Sequence, residues 1–178
     1  IGLGIPAEPL FRSRDVSDVI VYHGGTDVVE HPVCKLGRLN LDFGQGFYVT
    51  NLREQACLWA KQIADRRKKQ PVLNRYRLNR DVVLKEARCK VFVAYDYDWL
   101  EFIVANRRGL NFAKDFDYVE GGVANDRVVD TINLYMAGLM DIDTALLRLS
   151  EHQPNNQMCL LNQVITDKYL LFDGTEKI

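Results

Sequence analysis

The residues best suited to chemistry lie close together in the first third of the chain. A His23-Gly24-Gly25 triplet is followed by Phe43-Gly44-Gln45-Gly46-Phe47-Tyr48 and then by Trp59. Glycine lets a backbone approach a bound molecule closely and adopt positive φ. A planar ligand that carries an amide could hydrogen-bond to the backbone at Gly24 while an aromatic ring stacks on it, and nicotinamide has these properties.

Each motif also has an ordinary structural interpretation. A lone Tyr-His-Gly is typical of a strand end, and Phe-Tyr after glycine is typical of a core. Trp99 and Phe102, which stand outside these motifs, are interpreted as core residues. The combination and order of the motifs are therefore what favour a binding site.

Hydrophobic patterning predicts the elements that position these residues. Val19–Tyr22 predicts a strand stopped by Gly24-Gly25, and Phe47–Thr50 predicts a second strand. Leu52–Lys69 has apolar residues at three- and four-residue steps, which predicts a helix capped by Thr50 or Asn51. Further strands are predicted at Pro71–Leu78, Lys90–Ala94, Gln157–Leu161 and Tyr169–Phe172, an extended run at Tyr118–Asp126, and helices at Asp98–Arg107, Asp126–Ala137 and Asp141–Leu149.

The order of these elements indicates the fold class. The strands are not regularly separated by long crossover helices, which favours a mixed α+β domain over a doubly wound sheet. At 178 residues, with 47% hydrophobic residues, the chain fits one domain at residues 18–178 after an N-terminal arm at 1–17.

The charge balance limits the classes of partner. With 23 basic and 24 acidic residues the formal net charge is −1, so no global field draws the chain to nucleic acid or membrane. No apolar run approaches the roughly 20 residues that span a bilayer, and the first residues lack the layout of a signal peptide, so a cytoplasmic location is expected. The densest basic region, Arg66–Lys69 with Arg75, Arg77 and Arg80, is interpreted as a solvated surface rather than a nucleic-acid site.

The cysteines and histidines give no sign of a metal site. Cys34, Cys57, Cys89 and Cys159 are scattered, without a C-x-x-C pair or a ligand spacing to a histidine. We expect free thiols in a reducing compartment and no bound metal.

The motifs together resemble a known superfamily. His-Gly on one strand, Gly-x-Gly-aromatic-Tyr on the next, and an aromatic residue eleven positions later are similar to the NAD-binding half of poly(ADP-ribose) polymerases and diphtheria-toxin-like ADP-ribosyltransferases. The resemblance is closer to a poorly characterised bacterial domain family grouped with these transferases, in which YHG, DFGxGFYxT and a late Asn-Gln recur. It spans about Val19–Phe172 and implies an ADP-ribosyltransferase-like fold, with a mixed, split β-sheet core and flanking helices.

The resemblance also implies a role for each motif residue. His23 would bond a ribose hydroxyl, Gly24 would bond the nicotinamide amide, and Tyr48 and Trp59 would enclose the nicotinamide ring. Catalysis would involve His23, Tyr48 and Gln157. The NAD-binding set is His23, Gly24, Gly25, Phe43, Gly46, Phe47, Tyr48, Trp59 and Asp126.

The chain departs from the superfamily pattern at one catalytic position. Gln157, after Asn156, stands where a Glu is expected. A Gln keeps a hydrogen bond to ribose but lacks the charge that stabilises an oxocarbenium-like transition state. Asp126 could compensate, since an acidic residue in a similar Gly-x-x-Ala-x-Asp context occurs in the bacterial family, or it could cap the next helix.

The function implied by the resemblance is transfer of a single ADP-ribose from NAD to a macromolecular acceptor, with protein favoured over nucleic acid. The alternatives are NAD hydrolysis, or a degenerate module that binds NAD, ADP-ribose or a protein partner, including an inhibitory one. A bacterial, toxin-like role follows from the resemblance alone. Asp42, directly before the Phe43-Gly44 turn, could order that turn or contact substrate.

Overall fold

The computed structural model describes residues 18–124, 126–152 and 155–178, so the predicted arm at 1–17 lies outside the described residues. In the described part, strands and helices are interleaved along the chain. The strands are β1 (Val19–Gly25), β2 (Phe47–Val49), β3 (Val72–Leu78), β4 (Cys89–Val91), β5 (Tyr118–Gly121), β6 (Gln157–Leu160) and β7 (Leu170–Lys177). The α-helices are α1 (Arg53–Arg67), α2 (Arg80–Glu86), α3 (Tyr97–Arg107), α4 (Asp126–Met136), α5 (Ile142–Ser150) and α6 (Gln163–Tyr169).

The strands form two separate sheets. The first sheet has the order β1-β3-β7 and is antiparallel throughout. The second sheet has the order β2-β6-β5-β4, in which only the β4–β5 pair is parallel. Two sheets with six helices confirm the prediction of a mixed architecture of strands and helices for the described residues.

Two clusters of buried apolar side chains hold the layers together. One cluster lies between the two sheets and takes its side chains from strands of both: Val21, Phe47, Val49, Tyr76, Leu78, Tyr118, Met158 and Leu160. The other covers the opposite face of the second sheet beneath α3, α4 and α5. It includes Val119, Trp99, Leu100, Phe102, Ile103, Ile132, Leu149 and Cys159. Trp99 and Phe102 are buried, which confirms their interpretation as core residues.

Helix α1 packs directly on β1 because the side chains at the contact are small on both elements. Ala56, Ala60 and Ala64 are buried at four-residue steps along the helix. A Cβ placed on Gly24 would lie 2.0 Å from the Ala56 carbonyl oxygen and 2.9 Å from the Ala60 amide nitrogen. Gly24 therefore has a packing role that its ligand-binding interpretation did not include.

Two short helices were not predicted from the sequence, and one predicted cap was wrong. Asn79 accepts a hydrogen bond from the Val82 amide to begin α2, and Asn162 accepts bonds from Val164 and Ile165 to begin α6. The residue before α1 is Leu52, which makes no side-chain capping bond. The Leu52 amide instead donates to Thr50 Oγ1 at 3.0 Å, so Thr50 orders the turn rather than the helix.

The contact between α1 and β1 predicts opposite outcomes for two adjacent substitutions. Gly24→Ala should destabilise the fold by at least about 2 kcal/mol, because the methyl group meets helix backbone that cannot rotate away. Gly25→Ala should change stability by about 0.5 kcal/mol or less, since its Cβ would lie 3.6 Å from His23 Nε2, an ordinary contact. Thermal unfolding should show a lower midpoint for Gly24→Ala by about 5 °C or more. Equal midpoints for the two variants would contradict this account of the packing.

Candidate functional site

The two sheets meet at one point and then separate. The amide of Tyr22 donates to the carbonyl of Thr50 at 2.7 Å, and the amide of Thr50 donates to the carbonyl of Tyr22 at 3.0 Å. Backbone groups of alternate residues in a strand point to opposite neighbours. The N–H and C=O of Gly24 therefore point away from β3, as those of Tyr22 do, and continued pairing would set Gly24 opposite Tyr48.

That pairing does not continue, because a side chain takes its place. His23 Nδ1 donates a hydrogen bond to the Tyr48 carbonyl at 2.8 Å. The His23 ring also stacks on Phe47, with ring centroids 4.5 Å apart. Both contacts place the imidazole beside the opening between β1 and β2, where Gly24, which pairs with Leu73 of β3 on one side, has no partner in β2 on the other.

The environment of His23 favours its neutral form. Burial lowers the pKa of the imidazole. The hydrogen bond from Nδ1 to the Tyr48 carbonyl raises the pKa, but by less than burial lowers it. Since Nδ1 carries the hydrogen that the carbonyl accepts, Nε2 has a free lone pair. Neutral His23 can accept a hydrogen bond from a ligand hydroxyl at Nε2.

The opening between the sheets is the mouth of a cleft of about 790 Å³. Its lining includes seven of the nine predicted NAD-binding residues: His23, Gly24, Gly25, Gly46, Phe47, Tyr48 and Trp59. Gln157 lines the same cleft. The residues selected from widely spaced segments of the sequence thus face one cavity.

Tyr48 presents its ring to the cleft while its hydroxyl is held by the preceding loop. The hydroxyl accepts from the Phe43 amide at 3.0 Å and donates to the Gly44 carbonyl at 2.7 Å. Burial raises the pKa of the phenol well above its usual range. Tyr48 is therefore suited to stacking and not to acid–base catalysis through its hydroxyl.

Gln157 is a polar side chain that no other described residue engages. It begins β6 and is only 5% exposed, yet its side chain has no hydrogen-bond partner within residues 18–124, 126–152 and 155–178. The side chain of the neighbouring Asn156, by contrast, already has hydrogen-bond partners. Its Nδ2 donates to Asn51 at 3.2 Å and to Glu120 at 3.3 Å. The Gln157 amide is therefore available to a ligand in the cleft.

Glu120, a carboxylate near Gln157, already has hydrogen-bond partners within the fold. Glu120 is buried on β5, one residue from the strand partner of Gln157, and accepts hydrogen bonds from Arg80 Nε and from the Tyr118 hydroxyl, both at 2.7 Å. It is set opposite Met158, on the other face of the sheet from Gln157. Glu120 therefore does not supply a carboxylate on the Gln157 side of the sheet.

The side chain of Phe43, a predicted site residue, lies outside the described lining of the cleft. Phe43 is fully buried among Phe92 and Phe102, so its side chain belongs to the core and its amide fixes Tyr48. Asp126 begins α4, as predicted, but its side chain lies outside what the structure describes. Gly46 lines the cleft with its backbone, and a Cβ there would meet Cys159 Sγ at 2.5 Å.

The cationic residues of the cleft were not predicted from the sequence to line it, whereas Asp42 was a candidate. Asp42 and Arg107 both line it and form an ion pair at 2.6 Å, and Asn106 donates to the Asp42 carbonyl at 2.9 Å. These contacts support the interpretation that Asp42 orders the loop before Tyr48. Arg38, Arg66 and Arg67 also line the cleft. The three- and four-residue steps from Trp59 to Arg66 and Arg67 are the signal that could have placed these last two beside it.

Residues 19–172 match the family model described as Protein of unknown function (DUF3990). The chain belongs to the DUF3990 family. No curated protein and no solved structure matches the chain. Among the described residues of this DUF3990 domain, no helix is both long and apolar enough to cross a membrane, and no group of three or more His, Cys, Asp or Glu could hold a metal ion. The four cysteines are free.

The geometry at His23 predicts its tautomer and its effect on stability. NMR of the imidazole nitrogens should show hydrogen on Nδ1 and a pKa below 6.5. Because the unfolded chain then binds a proton more readily than the folded one, the free energy of unfolding should fall as the pH drops below about 6.5, until the lower folded pKa is passed. A His23→Phe variant should show a weaker pH dependence in urea unfolding. An Nε2–H tautomer or a raised pKa would contradict this assignment.

Proposed function

We propose that the cleft binds NAD and that the domain transfers a single ADP-ribose from it to a macromolecular acceptor, with protein favoured. The observation that carries the proposal is the convergence of His23, Tyr48, Trp59 and Gln157 on one cavity, beside the edge of β1 that β2 does not pair with beyond Tyr22. Fold-level analogy to ADP-ribosyltransferases adds to this support but rests on the sequence motifs.

The uncharged end of the cleft has the chemistry that nicotinamide riboside requires. Tyr48 and Trp59 come from different elements and offer aromatic faces for a planar ring. The free N–H and C=O of Gly24 can pair with a carboxamide, which has one acceptor and two donor hydrogens. His23 Nε2 can accept from a ribose hydroxyl, which orients the sugar below the ring.

In the proposed reaction the bond between nicotinamide and ribose C1′ breaks, and its electron pair leaves with nicotinamide. A nucleophilic group of the acceptor forms the new bond to C1′ and gives up its proton to solvent. Positive charge builds on the ribose between these events, so a group that bonds the ribose hydroxyl more strongly at that stage accelerates the step.

Gln157 supplies that hydrogen bond without a charge. Hydrogen bonds with a charged partner contribute about 1.5–3 kcal/mol, against about 0.5–1.5 kcal/mol for neutral ones. The difference of about 1–1.5 kcal/mol corresponds to a rate about five- to thirteenfold lower than with a carboxylate. A neutral amide is also a poor base for an acceptor hydroxyl, which favours single-unit transfer over chain elongation.

The charged residues of the cleft lining also indicate that Gln157 acts without a neighbouring free carboxylate. Asp27 and Asp42 are the carboxylates of its described lining, and both have cationic partners. No uncommitted carboxylate in that lining is available to stabilise a ribose cation. The second candidate function, a module that binds NAD or ADP-ribose without cleaving it, draws its support from this same feature. Hydrolysis of NAD by water is the enzymatic alternative.

Nicotinamide release from NAD tests the proposal. Release should require a macromolecular acceptor, supplied as cell lysate, and should fall about tenfold or more in His23→Ala and Tyr48→Ala, because each removes a ligand contact. Tyr48→Phe should keep the activity but unfold more easily, since the hydroxyl serves only the loop. Tyr97→Ala, a half-exposed tyrosine outside the cleft, is the matched control.

The alternatives give different results in the same assay. Release that is independent of lysate indicates a hydrolase. No release, with NAD still raising the thermal midpoint, indicates a binding module. Absence of both binding and release would overturn the assignment of the cleft to NAD.

Replacing Gln157 by Glu tests the role of charge at this position. Burial without a cation raises the pKa of a carboxyl group, so the added charge should develop only as the pH rises. Nicotinamide release should then increase by about tenfold at alkaline pH and little at acidic pH. Gln62→Glu, which adds the same charge to the cleft wall on α1, is the control. A Gln157→Glu variant slower than the wild type at every pH would show that the amide itself is required.

A further inference from the structure

A charged rim borders the uncharged part of the cleft. Arg38, Arg66 and Arg67 line the cavity, as do Thr26 and Asp27, and of the three arginines it is Arg67 that contacts both of these residues. Neither Arg38 nor Arg66 forms an ion pair within the described residues. Arg67 lies 3.8 Å from Asp27, and Lys69 lies closer to the same carboxylate, at 3.2 Å.

The charges at this rim sum to a net positive value in a chain whose formal net charge is −1. Asp42 and Arg107 cancel one another, and Asp27 is balanced by Lys69. Three guanidinium groups, Arg38, Arg66 and Arg67, are then left in excess. The C-terminus of α1 carries a partial charge of only about −0.5, which does not outweigh them.

Helix α1 relates this rim to the aromatic part of the cleft. Ile63 lies four residues after Trp59, Arg66 and Arg67 lie three and four residues after Ile63, and all four line the cavity. From Trp59 to Arg66 the helix rises about 10 Å. The wall therefore changes from aromatic to cationic over a distance comparable with the length of one mononucleotide unit.

We infer that Arg38, Arg66 and Arg67 form a subsite for a diphosphate group. This inference deepens the proposed function, because it assigns the diphosphate of the dinucleotide to a defined part of the cleft. Guanidinium groups donate paired hydrogen bonds that match phosphate oxygens, and the Thr26 hydroxyl, which accepts from Arg67 at 3.3 Å, adds a polar group at the same place.

A nucleic-acid backbone is the other source of phosphate, and the distribution of the remaining arginines disfavours it. Arg75 and Arg77 are paired with Asp173, and Arg80 with Glu120. The basic region of the sequence therefore does not form a continuous strip of free cations. Arg66, which has no ion pair among the described residues, and Arg67, whose ion pair with Asp27 is long at 3.8 Å, line the cavity, and a confined pair of this kind suits a compact anion better than a long polyanion.

The experiment is a calorimetric titration of the full chain with ADP, with inorganic pyrophosphate and with nicotinamide. A double variant, Arg38→Gln with Arg66→Gln, should lose about tenfold or more in affinity for ADP and pyrophosphate and keep its affinity for nicotinamide. Arg148→Gln, an exposed arginine on α5 outside the cleft lining, is the matched control. Added salt should weaken ADP binding to the wild type and to the control variant.

The outcomes separate this inference from the proposed function. Failure of nicotinamide to bind, with arginine-dependent binding of ADP, would refute the NAD assignment and retain the diphosphate subsite. Nicotinamide binding without ADP binding, or equal ADP affinity in the double variant and the control, would overturn the subsite. Tighter, arginine-dependent binding of a single-stranded oligonucleotide than of ADP would also overturn it, in favour of a nucleic-acid ligand.

Discussion

The hydrogen bond from His23 Nδ1 to the Tyr48 carbonyl, 2.8 Å long, is the interaction on which the site depends. It takes the place of a backbone bond that would otherwise continue the pairing of β1 with β2. Without it, the two sheets could close over the opening at Gly24. The same bond fixes the tautomer, because a carbonyl accepts only from a protonated nitrogen. One contact therefore holds the cleft open and orients the acceptor nitrogen that faces it.

The loop before β2 stabilises this arrangement from the other side. Asp42 is held by Arg107 and Asn106, which extend from the end of α3. The Phe43 amide and the Gly44 carbonyl then fix the Tyr48 hydroxyl. Tyr48 is thus restrained through its hydroxyl and its carbonyl, which leaves the ring as the part that a ligand can contact. A rigid ring loses little conformational entropy on binding.

Elements with a long periodic pattern of apolar residues were predicted well from the sequence. Short elements that begin at a single side-chain hydrogen bond were predicted less well. The alanines of α1 and the β-branched residues of β1 carry patterns that survive in the structure. The short helices α2 and α6 depend on capping by Asn79 and Asn162, a signal that also occurs in turns. The motif glycines were selected for ligand binding, but the need for glycine at position 24 arises from Ala56 on α1, which only the packed structure reveals. Phe43 illustrates the same limit, because a motif aromatic can serve a site by filling the core beneath it.

Two buried polar side chains at or beside β6, Glu120 and Gln157, differ in their hydrogen bonding. Glu120 is nearly inaccessible and receives hydrogen bonds from Arg80, Tyr118 and Asn156, as a buried carboxylate must. Gln157 is equally buried, but its amide makes no bond to the described residues. Its amide belongs to the lining of the cleft, where solvent or a ligand can bond to it. An uncharged amide that is left free in a cleft lined by aromatic rings is better explained by a ligand with both donor and acceptor groups than by stability. In the proposed reaction, its neutrality would limit how strongly the site stabilises the positive charge on the ribose.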